Sequence, residues 1–218
     1  MEFTEEQVLA LARDAYAAGV AGFPLDADRA SLLVIDMQDE FVKPGWTPYW
    51  VPDATRQVDR IGMLVDAARR RSMPVIWTVF SATHHNLDRP AAGSLMPNRL
   101  PGVEHDDEWF RRGRVWHELR PLPEEVVIHK PSYGAFYDTP LETILRNLGR
   151  DTVVVCGTLT CYCCSTTARQ AYERGFNAVV AADACANDDP DLQEHELRVL
   201  RKGFARVLDT DEIVALLA

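Results

Sequence analysis

Short runs of consecutive apolar residues constrain this chain more than any other feature. They are SLLVI at 31–35, PVIWTV at 74–79, EVVIH at 125–129, TVVVC at 152–156 and NAVVA at 177–181. Such runs are strand length and barely alternate between polar and apolar. A strand of that kind hides both faces, as it does in a parallel sheet covered on each side by helices. The intervening segments carry helical spacing. One covers 53–71, with Asp53 as a possible cap, and another 139–148, with Thr139 near its start and Gly149 after it. Two more cover 163–174, closed by Gly175, and 190–202, with Pro190 suited to the first turn. A short sixth strand over 205–208 precedes a last helix capped by Asp209 or Thr210. The alternation predicts an α/β fold: three layers, α/β/α, around a six-stranded parallel sheet with right-handed crossovers.

Ahead of the first strand, residues 4–18 read as a helix. Thr4 is its N-cap, Glu5 and Glu6 lie in its first turn, and Gly19 and Gly22 stop it. Residues 1–22 are then a helical arm suited to packing on a neighbour, and 1–218 form one domain of ordinary size. The stretch 81–123, rich in His, Pro, Gly, Arg and Trp, is too long for a plain connection and is expected to be functional or to hold short helices.

The net charge of −10 disfavours nucleic acid and anionic membrane surfaces as partners, because both reward clustered Lys and Arg. No apolar run approaches the roughly 20 residues of a membrane span, and the acidic, amphipathic first 18 residues lack the pattern of a secretion signal. A cytoplasmic protein is expected. The five cysteines are odd in number, and three crowd together as Cys161, Cys163 and Cys164. That is not a disulfide framework, and C-x-C-C without a downstream Cys or His pair is not a structural zinc site.

In open parallel sheets, ligands bind beyond the carboxyl ends of the strands. The residues there are Asp36, Ser81, Lys130, the segment 157–164 and Asp183. An acid, a base and a thiol cluster therefore share one edge. Asp36 follows an apolar strand, where a carboxylate is costly unless paired; the ordinary alternative is a loop or helix cap. Lys130 taken alone is a surface lysine, but it leads into Pro131-Ser132-Tyr133-Gly134-Ala135-Phe136, small residues beside aromatics. The turn 157–164 joins a buried strand to a helix, whose N-terminus offers unpaired N–H groups and positive partial charge. A thiol there is expected to be acidified and to have an oxyanion hole at hand. Three cysteines qualify on this ground, and all three are equally compatible with small buried apolar residues.

Three blocks, in order, resemble the isochorismatase-like cysteine hydrolases, a superfamily that includes nicotinamidases, N-carbamoylsarcosine amidases, biuret hydrolases and ureidoacrylate amidohydrolases. They are SLLVIDMQDEF at 31–41, HKPSYGAFYDTPLETILRNLG at 129–149 and VVVCGTLTCYCCSTTARQAYERGFNAVVAADACA at 153–186. The resemblance implies an isochorismatase-like, Rossmann-like fold and a catalytic triad of Asp36, Lys130 and Cys163. Its Gly-x-x-Thr-x-x-Cys turn falls on Gly157, Thr160 and Cys163, which selects among the three thiols. It further implies a cis peptide between Thr158 and Leu159, an oxyanion hole from the Leu159 and Cys163 N–H groups, and a homo-oligomer, dimer or tetramer.

The activity it implies is hydrolysis of a C–N bond in a small amide, carbamoyl or ureido substrate, releasing ammonia or an amine. No cofactor is expected. Nicotinamidases carry a metal site with an Asp-x-His pattern after the first strand, and 46–55 contains no His, so no metal is expected either. Vinyl ether hydrolysis, as in true isochorismatases, does not need the cysteine; a non-catalytic binding protein does not need the triad. Gln38, Phe41, Tyr133, Phe136 and Tyr162 are the expected substrate contacts, with Trp46 and Trp77 as further wall residues. A carboxylate-bearing substrate would want one of Arg89, Arg99, Arg111 and Arg112, among which the sequence does not choose.

Overall fold

The computed structural model describes residues 2–14, 19, 21–90 and 102–218. Its centre is a six-stranded sheet of β1 (Ala30–Ile35), β2 (Val75–Phe80), β3 (Val126–Lys130), β4 (Thr152–Thr158), β5 (Asn177–Ala186) and β6 (Arg206–Leu208). The order is β3-β2-β1-β4-β5-β6, and every pairing is parallel. The helices are α1 (Glu5–Asp14), α2 (Asp39–Val42), α3 (Pro52–Arg56), α4 (Val58–Arg70), α5 (Leu141–Asn147), α6 (Ser165–Glu173), α7 (Pro190–Gly203) and α8 (Thr210–Leu217).

The period of two in the strands divides the core into two. Leu32 and Val34 of β1, with Val154 and Cys156 of β4, face Ile61, Leu64 and Val65 of α4 and Ile213 of α8. Leu33 and Ile35, with Val153 and Val155, face Leu141 of α5, Ala168 of α6 and Leu197 and Leu200 of α7. Each large apolar side chain buried this way contributes about 1.5–3 kcal/mol, which is why the strands tolerate almost no polar residue.

Several element ends differ from the sequence reading. The helix over 53–71 is two helices meeting at Gln57, and Asp53 lies inside the first, with Val51 at its N-cap. Thr4 does cap α1, its Oγ1 accepting from the Gln7 N–H at 3.3 Å; residues 15–18, the rest of that expected helix, lie outside the described residues. Asp209 caps α8 through a capping box with Glu212. β3 is an edge strand, so Val126 and Val127 stay exposed despite their apolar character. β5 runs on to Ala186.

The sheet order reverses direction between β1 and β4, which opens a crevice at their carboxyl ends. There Ile35 pairs with Gly157. Gly157 has φ +122°, and a Cβ on it would collide with the Ile35 carbonyl, so only glycine fits. Among the described residues no helix is long and apolar enough to cross a membrane.

Candidate active site

Asp36 is the first residue past β1, and its backbone turns sharply to φ 49°, a left-handed conformation that Asp tolerates better than most residues. Its N–H donates to the Thr78 carbonyl at 3.1 Å, and the Gln38 N–H donates to the Asp36 carbonyl at 2.8 Å. The carboxylate is fully buried. Thr78 Oγ1 donates to Asp36 Oδ1 at 2.7 Å. The other oxygen, Oδ2, stands 2.7 Å from Lys130 Nζ but receives no well-aligned hydrogen bond. It is a close ion pair that leaves Oδ2 able to accept a proton.

Lys130 closes β3 and is also fully buried. Its Nζ donates to the Ser132 carbonyl at 2.8 Å and to Cys163 Sγ at 3.4 Å, and lies 5.4 Å from the centre of the Phe80 ring. Burial works against its charge, but the Asp36 carboxylate and the Cys163 sulfur outweigh burial and raise its pKa. Cys163 belongs to a single wide turn, Thr160–Cys164, between β4 and α6. The peptide between Thr158 and Leu159, ahead of this turn, is cis.

The expected acidification of the thiol does not appear. Burial, and then the charge of Asp36, push the Cys163 pKa well up, with Lys130 opposing. The resting site is a buried carboxylate–ammonium pair beside a neutral thiol. The positive end of the helix is outweighed because the thiol is buried and the Asp36 carboxylate lies close to it. Cys161 and Cys164 differ from Cys163 in their surroundings. Cys161 Sγ binds Asn187 Oδ1 at 2.9 Å, and burial pushes its pKa up to about 11. Cys164 is fully buried, and burial and its neighbour Cys185 raise its pKa.

The loop after Lys130 is tied to α6. Thr167 Oγ1 accepts from the Ala135 N–H at 3.0 Å and donates to the Cys163 carbonyl at 2.7 Å. Gln170 Oε1 accepts from the Phe136 N–H at 3.1 Å. Tyr133 and Tyr162 stack at 5.1 Å between ring centres, 30° apart, with Tyr162 37% exposed, so they form an aromatic wall beside the thiol. Burial, and then Tyr162 and Cys163, push the Tyr133 pKa up to about 12.

The other expected contacts are packed among framework residues. Gln38 is fully buried, and its amide binds Glu40, the Phe80 carbonyl and the Phe80 N–H. Phe41 packs on Phe110 in one core, and Phe136 on Phe176 in the other. Trp77 is buried with Nε1 on Glu125, and Trp46 lies under Lys43. A short polar or aromatic stretch next to a catalytic position is more often spent on holding the backbone in place.

Two residues that matter here escaped the sequence reading. Thr78 was legible as the one polar residue inside an otherwise apolar strand, which must find a buried partner. Phe80 carried no signal beyond its place at a strand end. Among the described residues no three His, Cys, Asp or Glu side chains converge as a metal site. His84 instead pairs with Asp88 at 2.8 Å on the surface.

The Isochorismatase domain profile matches residues 30–212. A ureidoacrylate amidohydrolase, RutB of Methylorubrum extorquens, is 31% identical over 88% of this chain and 84% of its own. Nicotinamidase 3 of Arabidopsis thaliana is 32% identical over 84% and 86%. A cysteine hydrolase from Pseudomonas syringae pv. phaseolicola superposes with a TM-score of 0.81 at 28% identity, over 91% of this chain and 96% of that one.

Proposed function

Because this chain belongs to the isochorismatase family, whose members are hydrolases, we propose that it cleaves a C–N bond of a small amide, carbamoyl or ureido compound through a thioester on Cys163. The observation that carries this reading is the convergence on Lys130 Nζ of Asp36 Oδ2 at 2.7 Å and Cys163 Sγ at 3.4 Å, all three side chains buried. Relatives named for ureidoacrylate and nicotinamide chemistry support the amide class.

The steps follow from the charges. Asp36 takes the Cys163 proton as the sulfur attacks the carbonyl carbon, because a raised thiol pKa makes transfer during attack cheaper than a standing thiolate. Lys130 stays positive and balances the charge as it moves from carboxylate to sulfur. The N–H groups of Leu159 and Cys163 hold the developing oxyanion. Protonated Asp36 returns its proton to the leaving nitrogen, and ammonia or an amine departs. Asp36 then deprotonates a water that hydrolyses the thioester, and the thiol is restored. Tyr133 and Tyr162 flank the substrate.

The test is ammonia release from ureidoacrylate, N-carbamoyl amino acids, biuret, maleamate and nicotinamide by wild type and Cys163→Ala. The reading expects release from at least one member and a loss of about 10⁴-fold or more in the variant. Release that survives in Cys163→Ala overturns it.

A further inference from the structure

The partners of Lys130 are of two kinds. The Asp36 carboxylate at 2.7 Å and the Cys163 sulfur at 3.4 Å exchange charge in the proposed reaction. The Ser132 carbonyl at 2.8 Å and the face of the Phe80 ring, whose centre lies 5.4 Å from Nζ, keep the same charge throughout. An aromatic face attracts a cation, and most strongly where water is excluded. Lys130 and Phe80 are both buried, and they stand in register across β3 and β2, which puts their side chains on the same face of the sheet.

Phe80 is itself held through its backbone and its ring. β1 ends at Ile35, which pairs with Thr78, so Phe80 lies past the last strand partner on that side. The Gln38 amide takes that partner's place. Its Oε1 accepts from the Phe80 N–H at 2.7 Å, and its Nε2 donates to the Phe80 carbonyl at 3.0 Å. The same Nε2 donates to Glu40 Oε2 at 2.7 Å, and Glu40 Oε1 accepts from the Phe110 N–H at 3.0 Å. Phe110 closes the circuit by packing edge-on against the Phe80 ring, 5.6 Å between centres and 73° apart. Gln38 and Glu40 are buried, so two polar side chains just past Asp36 are committed to the residue beneath the lysine.

We propose that Phe80 is a positioning residue of the active site: its ring face, with the Ser132 carbonyl, is the fixed seat that keeps the Lys130 ammonium between Asp36 and Cys163 while negative charge passes from one to the other. This deepens the reading of the site as a cysteine amidohydrolase and rests on it. At rest the carboxylate, 2.7 Å away, dominates the field on the ammonium. Once Asp36 holds the thiol proton, that attraction is gone, and the balancing charge lies on the more distant and more diffuse sulfur and oxyanion. The constant partners then matter most, so the ring stabilises the transition state more than the resting site and acts on kcat. Without the ring, the ammonium settles toward Asp36 at rest, which lowers the ground state and raises the barrier.

The test replaces Phe80 with phenylalanines carrying one, two and three ring fluorines, which keep the shape of the ring while draining negative charge from its face. Phe80→Leu is run beside them. Two quantities are read: kcat and KM on the best substrate of the amide panel, and the rate at which iodoacetamide alkylates Cys163, followed by mass spectrometry, which needs no substrate. The expected result is a stepwise fall of kcat with each fluorine, about 10-fold over the series, with KM little changed and alkylation slowing in parallel. Phe80→Leu is at least as slow as the trifluoro protein. The Arg89 guanidinium also lies over this ring, Cζ 4.9 Å from its centre, so the series is repeated in Arg89→Met, where the dependence on fluorine persists because it runs through Lys130. A flat kcat and a flat alkylation rate across the fluorinated series, even with Phe80→Leu impaired, would reduce Phe80 to packing and overturn the proposal. An effect confined to KM, or one that vanishes in Arg89→Met, overturns it as well. Graded alkylation without cleavage of any amide would instead sink the amidohydrolase reading and leave the lysine seat standing.

Discussion

Thr78 Oγ1 donates a 2.7 Å hydrogen bond to Asp36 Oδ1, and the other carboxylate oxygen then stands 2.7 Å from Lys130 Nζ. The pair fixes which oxygen is left for the proposed role of base. Thr78→Val keeps the volume and removes the donor. A buried acceptor left unpaired costs about 1–3 kcal/mol, so urea denaturation should show a loss of that size. Turnover on the identified substrate should fall about 10-fold or more, and Thr78→Ser should recover most of it.

The Asp36–Lys130 pair is wholly buried, so removing one partner strands the other. Lys130→Met should destabilise the fold by about 3–5 kcal/mol. The double variant Asp36→Asn, Lys130→Met should regain much of that stability while remaining inactive. Comparing chemical denaturation with turnover across the three proteins separates the structural cost from the chemical one.

The raised Cys163 pKa makes stability fall in alkali. The unfolded thiol loses its proton near its ordinary value of about 8.5, while the folded thiol keeps it, so above that pH the native state binds more protons and unfolding becomes easier. One such group costs about 1.4 kcal/mol for each pH unit beyond it. The gap in stability between wild type and Cys163→Ala should therefore shift by this amount per unit from about pH 9 upward, in favour of the variant. Lys130, whose pKa is also raised, keeps its contribution to stability below its unfolded value of about 10.4 and loses it only at higher pH. A parallel response of the two proteins between about pH 8.5 and 10 would show the thiol is not held protonated.

Gly157 has φ +122° against the Ile35 carbonyl, with no room for a Cβ. Gly157→Ala should yield insoluble protein or lose about 3 kcal/mol or more, by clash and backbone strain together. Thermal unfolding of any soluble fraction measures it.

The sheet was legible because β1, β2 and β4 are apolar on both faces, and nothing but a covered parallel strand accommodates SLLVI or TVVVC. The position of Asp36, Lys130 and the cysteine turn on one edge was legible for the same reason. The thiol's state was not. The helix end predicts acidification, but the charge of Asp36 and burial depend on distances that only the folded chain sets. The packing of Phe41 on Phe110 and Phe136 on Phe176, and the bonds of Gln38 to Phe80, show the same gap, since a sequence does not name such partners. Thr78 meets Asp36 through the pairing of β2 with β1, so its polar character inside an apolar strand signals a buried partner without saying which one. The divided helix at Gln57 likewise leaves no mark in a continuous helical pattern.

The central claim, a covalent acyl group on Cys163, is tested most directly by hydroxylamine trapping during turnover of the identified substrate. The account predicts a hydroxamate product, or hydroxyurea from a carbamoyl group, formed in competition with hydrolysis by wild type and absent from Cys163→Ala, which also ceases to release ammonia. Hydrolysis that continues in Cys163→Ala, or that yields no trapped product at saturating hydroxylamine in wild type, would contradict it.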